Sequence, residues 1–363
     1  MRKTLALLLA AVLAPTSLVA APAGQTAADR QLPRYDHVFV IVEENKNYEQ
    51  IMSPEAAPNI AALAKTYGYA SNFWGEVHPS EANYVALLGG DTFGIHDDDA
   101  FYCKPGSADR YCYGAKEPGY PDHTVTAPHL GDQLEAAHKS WKGYYETLPE
   151  PGSLAVAAGD ATFTPGGETL ALYASKHSGF LNFADVQQAP DRAQKIVGFD
   201  QFYADLKADH VPNFALVVPN QCNEMHGLGG PAPDDCQGRN TAALIRRGDA
   251  ATGWIVKSIQ ASKVWKSKAN VAIVITFDEG TAGSRGGCCG VTPDAPSNYG
   301  GGHIPTIVIT NHGPRGVVDP TPYNHYSLLR TLEDVFGLPA YLGHAAETDK
   351  GVVPMVSLFA AKK

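Results

Sequence analysis

The sequence predicts an α/β protein, a three-layer α/β/α sandwich on a mainly parallel central sheet. Three observations point there. Four short apolar runs, His37 to Val42, Phe214 to Val218, Val271 to Phe277 and Ile304 to Thr310, are rich in Val and Ile and do not alternate with polar residues. Runs of that kind are strands buried on both faces. Helical patterns lie between them, and strands alternating with helices build a parallel sheet covered on both sides. Finally, 44% hydrophobic and 18% charged residues in a 363-residue chain describe a full globular core.

The elements follow in chain order. Arg2 and Lys3 precede an apolar run from Leu5 to Val19, and small residues come next. This is the pattern of a secretory signal peptide, expected over residues 1–23 with cleavage after Ala23. A retained membrane anchor is the alternative, but Pro22 to Arg34 carries no stop-transfer pattern. Residues 24–363 are expected to form one domain. After the first strand, Ala56 to Tyr67 is helical. Asn83 to Leu88 begins a second helix, Thr241 to Ser262 is a long one, and Tyr326 to Phe336 is a fourth. Two segments, about 92–125 and 280–302, are rich in glycine and polar residues and are expected as insertions; loops of such length are usually functional.

The formal net charge of −10 supplies no general field for nucleic acid or an anionic membrane. Neither nucleic acid nor stable membrane insertion is expected. An anionic substrate would need local positive charge, which points to a metal ion. Six cysteines in an exported chain suggest disulfides. Cys103 with Cys112 and Cys222 with Cys236 close short loops. Cys288 and Cys289 are adjacent, and their pairing stays open. A zinc cluster is disfavoured because no C-x-x-C pair occurs.

In open α/β sheets, ligands gather beyond the carboxyl ends of strands. The first strand runs into Glu43-Glu44-Asn45, the strand at Val271 into Asp278-Glu279, and the strand at Phe214 into Pro219 through His226. Oxygen-rich groups delivered to one edge suit a hard or borderline divalent cation; each acid alone reads as a solvated loop residue. His78-Pro79-Ser80-Glu81-Ala82-Asn83-Tyr84 places Ser80 where a helix should begin. The unpaired N–H groups there favour an anion, although spacing alone favours an ordinary N-cap. Asn83 lies one turn on, on the same face. His78, His226 and His303 complete the candidates for binding phosphate or metal.

These residues resemble a known family. Phe39 to Tyr48, His78 to Leu87 and Thr276 to Gly280 are similar to motifs of the bacterial phosphoesterase family, which holds secreted acid phosphatases and phospholipases C within the alkaline phosphatase superfamily. Pro219 to His226, Gly302 to Pro305 and His325 to Leu329 are similar to its later blocks. The resemblance implies an alkaline-phosphatase-like sandwich. It implies that Glu44, Asn45, Ser80, Asp278 and Glu279 bind one divalent metal ion and that Ser80 is the nucleophile. By the same resemblance His226 and His303 contact the phosphoryl group, one of them protonating the leaving group, and Asn83 steadies the phosphate. His78 is a further substrate-binding candidate. Two-metal relatives in the superfamily have Asp where this chain has Cys222, so one metal is expected.

The implied reaction is hydrolysis of a small-molecule or lipid phosphate ester through a phosphoserine. Monoesters, including phosphoinositides or nucleotides, are expected ahead of diesters, because the chain ends at Lys363 without room for the extra C-terminal domain of phospholipases C. A phospholipase C-type diesterase is the alternative. A Ser-His-Asp esterase would need a G-x-S-x-G elbow, and none surrounds any serine. A non-catalytic secreted binding protein would have lost Ser80 or the acids, and all are present.

Overall fold

Residues 32–158, 171–230, 232–290 and 300–360 are described by a computed structural model. The expected signal peptide lies outside them. The strands are β1 (His37–Glu43), β2 (Gly68–Trp74), β3 (Trp141–Tyr145), β4 (Ala157–Ala158), β5 (Tyr173–Ala174), β6 (Ile196–Gly198), β7 (Phe214–Val218), β8 (Val271–Phe277), β9 (His303–Thr310), β10 (Val317–Asp319) and β11 (Tyr323–Asn324). β4 and β5 pair only with each other. The rest form one nine-stranded sheet in the order β10-β2-β9-β8-β1-β7-β3-β6, with β11 also against β2.

All pairings in this sheet are parallel except those of β9, which runs against both β8 and β2. The four apolar runs are β1, β7, β8 and β9. β1 is central: Val38 pairs with Phe214 on one side and Ala272 on the other. Every residue of β7 and β8 is buried, which is why these strands show no alternation. The short or polar strands β2, β3, β6, β10 and β11 lack that signature.

The expected helices form at Pro58–Thr66, Glu81–Gly89, Thr241–Ala261 and His325–Phe336. All nine residues of Glu81–Gly89 are buried, so this helix is a core element. It stops at Gly90, whose φ of 77° is left-handed. A Cβ there would also meet Leu342 O at 2.4 Å, so no other residue fits.

Because β1, β2, β7 and β8 share one direction, their carboxyl ends lie at one edge. The reversed β9 brings its first residue, His303, to the same edge, opposite Trp74.

Candidate functional site

Four chain segments meet at that edge. Glu44 and Asn45 follow β1, and Asn45 takes a left-handed φ of 56°, which Asn tolerates better than most residues. Its backbone N–H then donates to Asp278 Oδ1 at 3.1 Å. Asp278 and Glu279 follow β8. Ser80 precedes the buried helix. Asn220 to His226 follows β7 and is tied down by the Cys222–Cys236 disulfide.

Glu44 is the hub. Its Oε2 accepts the Ser80 hydroxyl at 3.0 Å and the Asn45 amide at 2.8 Å. Its Oε1 accepts the Tyr84 hydroxyl at 2.9 Å and lies 3.1 Å from His177 Nε2. His177 Nδ1 is 2.7 Å from Glu224 Oε1, and His78 Nδ1 is 2.6 Å from Glu279 Oε2. Glu44, Glu224, Asp278 and Glu279 are all buried. Burial, then the neighbouring carboxylates, push the Glu44, Glu224 and Glu279 carboxyls well above the usual range; burial also raises Asp278. Asp278 Oδ2 and Glu224 Oε2 are buried without a hydrogen-bond donor. Crowded acids with orphaned oxygens are a donor set that a hard divalent cation fits. Glu44, His177 and His226 also each offer one ligand atom within 4.8 Å of one another.

The structure brings together Glu44, Asn45, Ser80, Asp278, Glu279, His78 and His226. Ser80 does not cap its helix with its side chain; the hydroxyl goes to Glu44 instead. Two of the expected residues make other contacts. Asn83 accepts the N–H groups of Glu76 and Val77 at 2.9 and 3.2 Å and donates to Val77 O at 3.0 Å. Its amide holds the turn before Ser80. His303 stacks on Tyr48 with ring centroids 4.5 Å apart and pairs with Ser71 O at 3.1 Å and Glu49 Oε1 at 3.4 Å. Its ring nitrogens are thus engaged away from the serine. His226 is inside the site, but burial and the Lys176 ammonium push its imidazole down to about 3.

Sequence reasoning missed His177, Glu224, Tyr84 and Lys176. Glu224 and Tyr84 lie inside motifs already singled out, two residues from His226 and one turn from Ser80. His177 and Lys176 sit in the short 3-10 turn Ser175–His177, whose sequence carries no signal.

The two short-loop disulfides, Cys103–Cys112 and Cys222–Cys236, are present, and Cys288 bonds to Cys289.

A solved structure of an alkaline phosphatase superfamily protein from Vibrio parahaemolyticus superposes with a TM-score of 0.51 at 11% identity, covering 86% of this chain and 69% of that one. The sheet therefore shares the fold of that protein. The chain belongs to the phosphoesterase family, whose model matches residues 51–339. The match begins after Glu44 and Asn45, which join the site by geometry. The chain is 29% identical over 308 residues to a phosphatidylinositol-3-phosphatase of Mycobacterium tuberculosis, covering 85% of this chain and 79% of that one. It is 26% identical to a phosphate-repressible acid phosphatase of Penicillium chrysogenum and 26% identical to an acid phosphatase of Aspergillus fumigatus. It spans 60% and 56% of those fungal relatives, and each alignment takes in 84% of this chain. The protein is a hydrolase acting on phosphate esters.

Proposed function

We propose that this is a secreted, metal-dependent phosphomonoesterase that works through a phosphoserine at Ser80. The observation that carries the reading is the Ser80 hydroxyl, buried at the sheet edge and donating to Glu44 Oε2 at 3.0 Å. Ser80 Oγ attacks phosphorus, the bond to the leaving oxygen breaks, and the leaving oxygen takes up a proton. Water then cleaves the phosphoserine and restores the hydroxyl. Glu44 Oε2 is the acceptor that the serine proton faces, and Tyr84 and Asn45 hold that carboxylate in place. Glu44, Asn45, Ser80, Asp278 and Glu279 would hold one divalent ion, which when bound lowers the hydroxyl pKa and offsets charge on the phosphoryl oxygens.

The names of the relatives support monoesters, of small molecules or of lipids such as phosphoinositides. Export is supported by the Arg2-Lys3 and Leu5-to-Val19 pattern and by three disulfides. Among the described residues no helix is long and apolar enough to cross a membrane. The test compares nitrophenyl phosphate, bis-nitrophenyl phosphate and nitrophenyl phosphocholine, each with and without a strong chelator. Monoester hydrolysis that a chelator abolishes is expected. Faster cleavage of either diester would move the protein to the phospholipase C type.

A further inference from the structure

We propose that Lys176 contacts the phosphoryl oxygens of the substrate, and that Asp98 positions it. The inference rests on the phosphomonoesterase reading above and adds a residue to it.

A cavity of 540 Å³ opens beside His226 and is walled by the 92–125 insertion, with Asp98, Tyr111 and Tyr113 on that wall. Among the described residues, Lys176 is the one lysine or arginine that lines it. Its Nζ lies 2.8 Å from Asp98 Oδ2 and 3.4 Å from His226 Nε2. His226 Nδ1 donates to Gly227 O at 2.8 Å, so in the neutral ring Nε2 is an acceptor. An ammonium carries three N–H groups. Asp98 and His226 take two, and one is left for a ligand in the cavity. Lys46, another lysine near the acids, donates to the carbonyls of Met225 and Asn45 at 2.6 and 3.1 Å and does not line the cavity.

Asp98 has a second contact. Its Oδ1 accepts the backbone N–H of Glu81 at 3.1 Å, the residue that follows Ser80. One carboxylate thus joins the ammonium to the start of the nucleophile's helix and fixes the distance between them. The insertion is held in turn by His123, which lies 3.1 Å from Glu81 Oε2 and 3.3 Å from Asp97 Oδ1. Burial lowers the Lys176 pKa, but Asp98 and Glu44 outweigh it and keep the ammonium charged. A monoester dianion approaching Glu44, Asp278 and Glu279 meets a wall of negative charge. The charges of Glu44 and Glu279 reach Lys176, and an ammonium preorganised beside these acids would meet the equatorial oxygens as a fixed cation.

Binding of inorganic phosphate is measured by calorimetry on the full, metal-loaded protein, and hydrolysis of nitrophenyl phosphate on the same samples. Lys176→Gln and Lys176→Met, each checked by its thermal midpoint, are expected to weaken phosphate binding about ten- to a hundredfold, the worth of a charged hydrogen bond. Lys176→Arg is expected to recover most of that affinity. Asp98→Asn keeps the cation but loosens its place, so kcat should fall while phosphate affinity stays within about threefold. Phosphate bound by folded Lys176→Gln or Lys176→Met as tightly as by the parent overturns the proposal. A Ser80→Ala protein that still turns over, beside a Lys176→Gln protein that has lost phosphate, would sink the nucleophile and uphold the lysine.

Discussion

Tyr84 lies one helical turn beyond Ser80 and donates its hydroxyl to Glu44 Oε1 at 2.9 Å, while Ser80 donates to Oε2 of the same carboxylate at 3.0 Å. The nucleophile and its supporting tyrosine therefore share one acceptor, and the helix that carries both is buried throughout. Tyr84→Phe leaves the packing and removes one hydrogen bond to a charged group. Expected are a stability loss of about 2 kcal/mol and a fall in kcat of about tenfold, or 1.4 kcal/mol in the barrier. Denaturant titration and steady-state kinetics check both.

Ser80→Ala is expected to abolish turnover and change stability by no more than about 1 kcal/mol, the net worth of one hydrogen bond. Ser80 contributes no side-chain cap to its helix, so no cap is lost. A folded Ser80→Ala enzyme with residual activity near the parent's would rule out the phosphoserine route.

Removal of divalent ions by a strong chelator is expected to stop hydrolysis and lower the thermal midpoint, because Glu44, Asp278 and Glu279 are then left buried side by side. Asp278→Ala and Asn45→Ala should each weaken metal binding, and their effects should not add, since Asn45 N–H donates to Asp278 Oδ1. Full activity after exhaustive dialysis against chelator would contradict this.

His123 makes stability depend on pH. Burial lowers its pKa, but Glu81 and Asp97 outweigh burial and raise it from 6.5 to about 10. Burial raises the Glu81 carboxyl from 4.5 to about 7 despite that imidazolium. Both groups bind a proton more tightly in the folded state. The His123 contribution is therefore complete below pH 6.5 and is lost as pH rises towards 10; that of Glu81 is lost between pH 4.5 and 7. The midpoint of unfolding should fall from pH 6.5 to 10, and His123→Gln should flatten that slope. An equal slope in parent and variant would show that another group carries it.

Cys222 and Cys236, 14 positions apart, close a loop ahead of the long helix Thr241–Ala261. Replacing both by Ser should cost about 3 kcal/mol on loop-entropy grounds. Because Glu224 and His226 lie within this loop, activity should fall further than stability alone explains. Parent-like kcat/KM in the double variant at a temperature where it stays folded would separate the disulfide from the site.

The central strands were legible because β1, β7, β8 and β9 are buried on both faces and must be apolar throughout. β2, with Ser71 and Asn72, and β3, with Lys142, face mixed surroundings and carry no such run. The direction of β9 was not legible either. Its residues satisfy a parallel and an antiparallel neighbour equally, and only the register of Ala272 with Thr310 settles it.

By itself the sequence determined which residue types reach the site: a serine before a buried helix, and acids and an amide directly after two strands. A strand end delivers its next residue to the sheet edge whatever the rest of the chain does. Only the tertiary structure decided where side chains point and which distant residues join them. Asn83 turned back to its own loop and His303 to Tyr48, while His177 and Lys176 came in from a turn far along the chain and Asp98 from the loop segment after the buried helix. The reason is physical. Strand-end placement is a local consequence of backbone direction, whereas a hydrogen bond between residues such as Lys176 and Asp98, 78 positions apart, exists only once the whole sheet has closed its core.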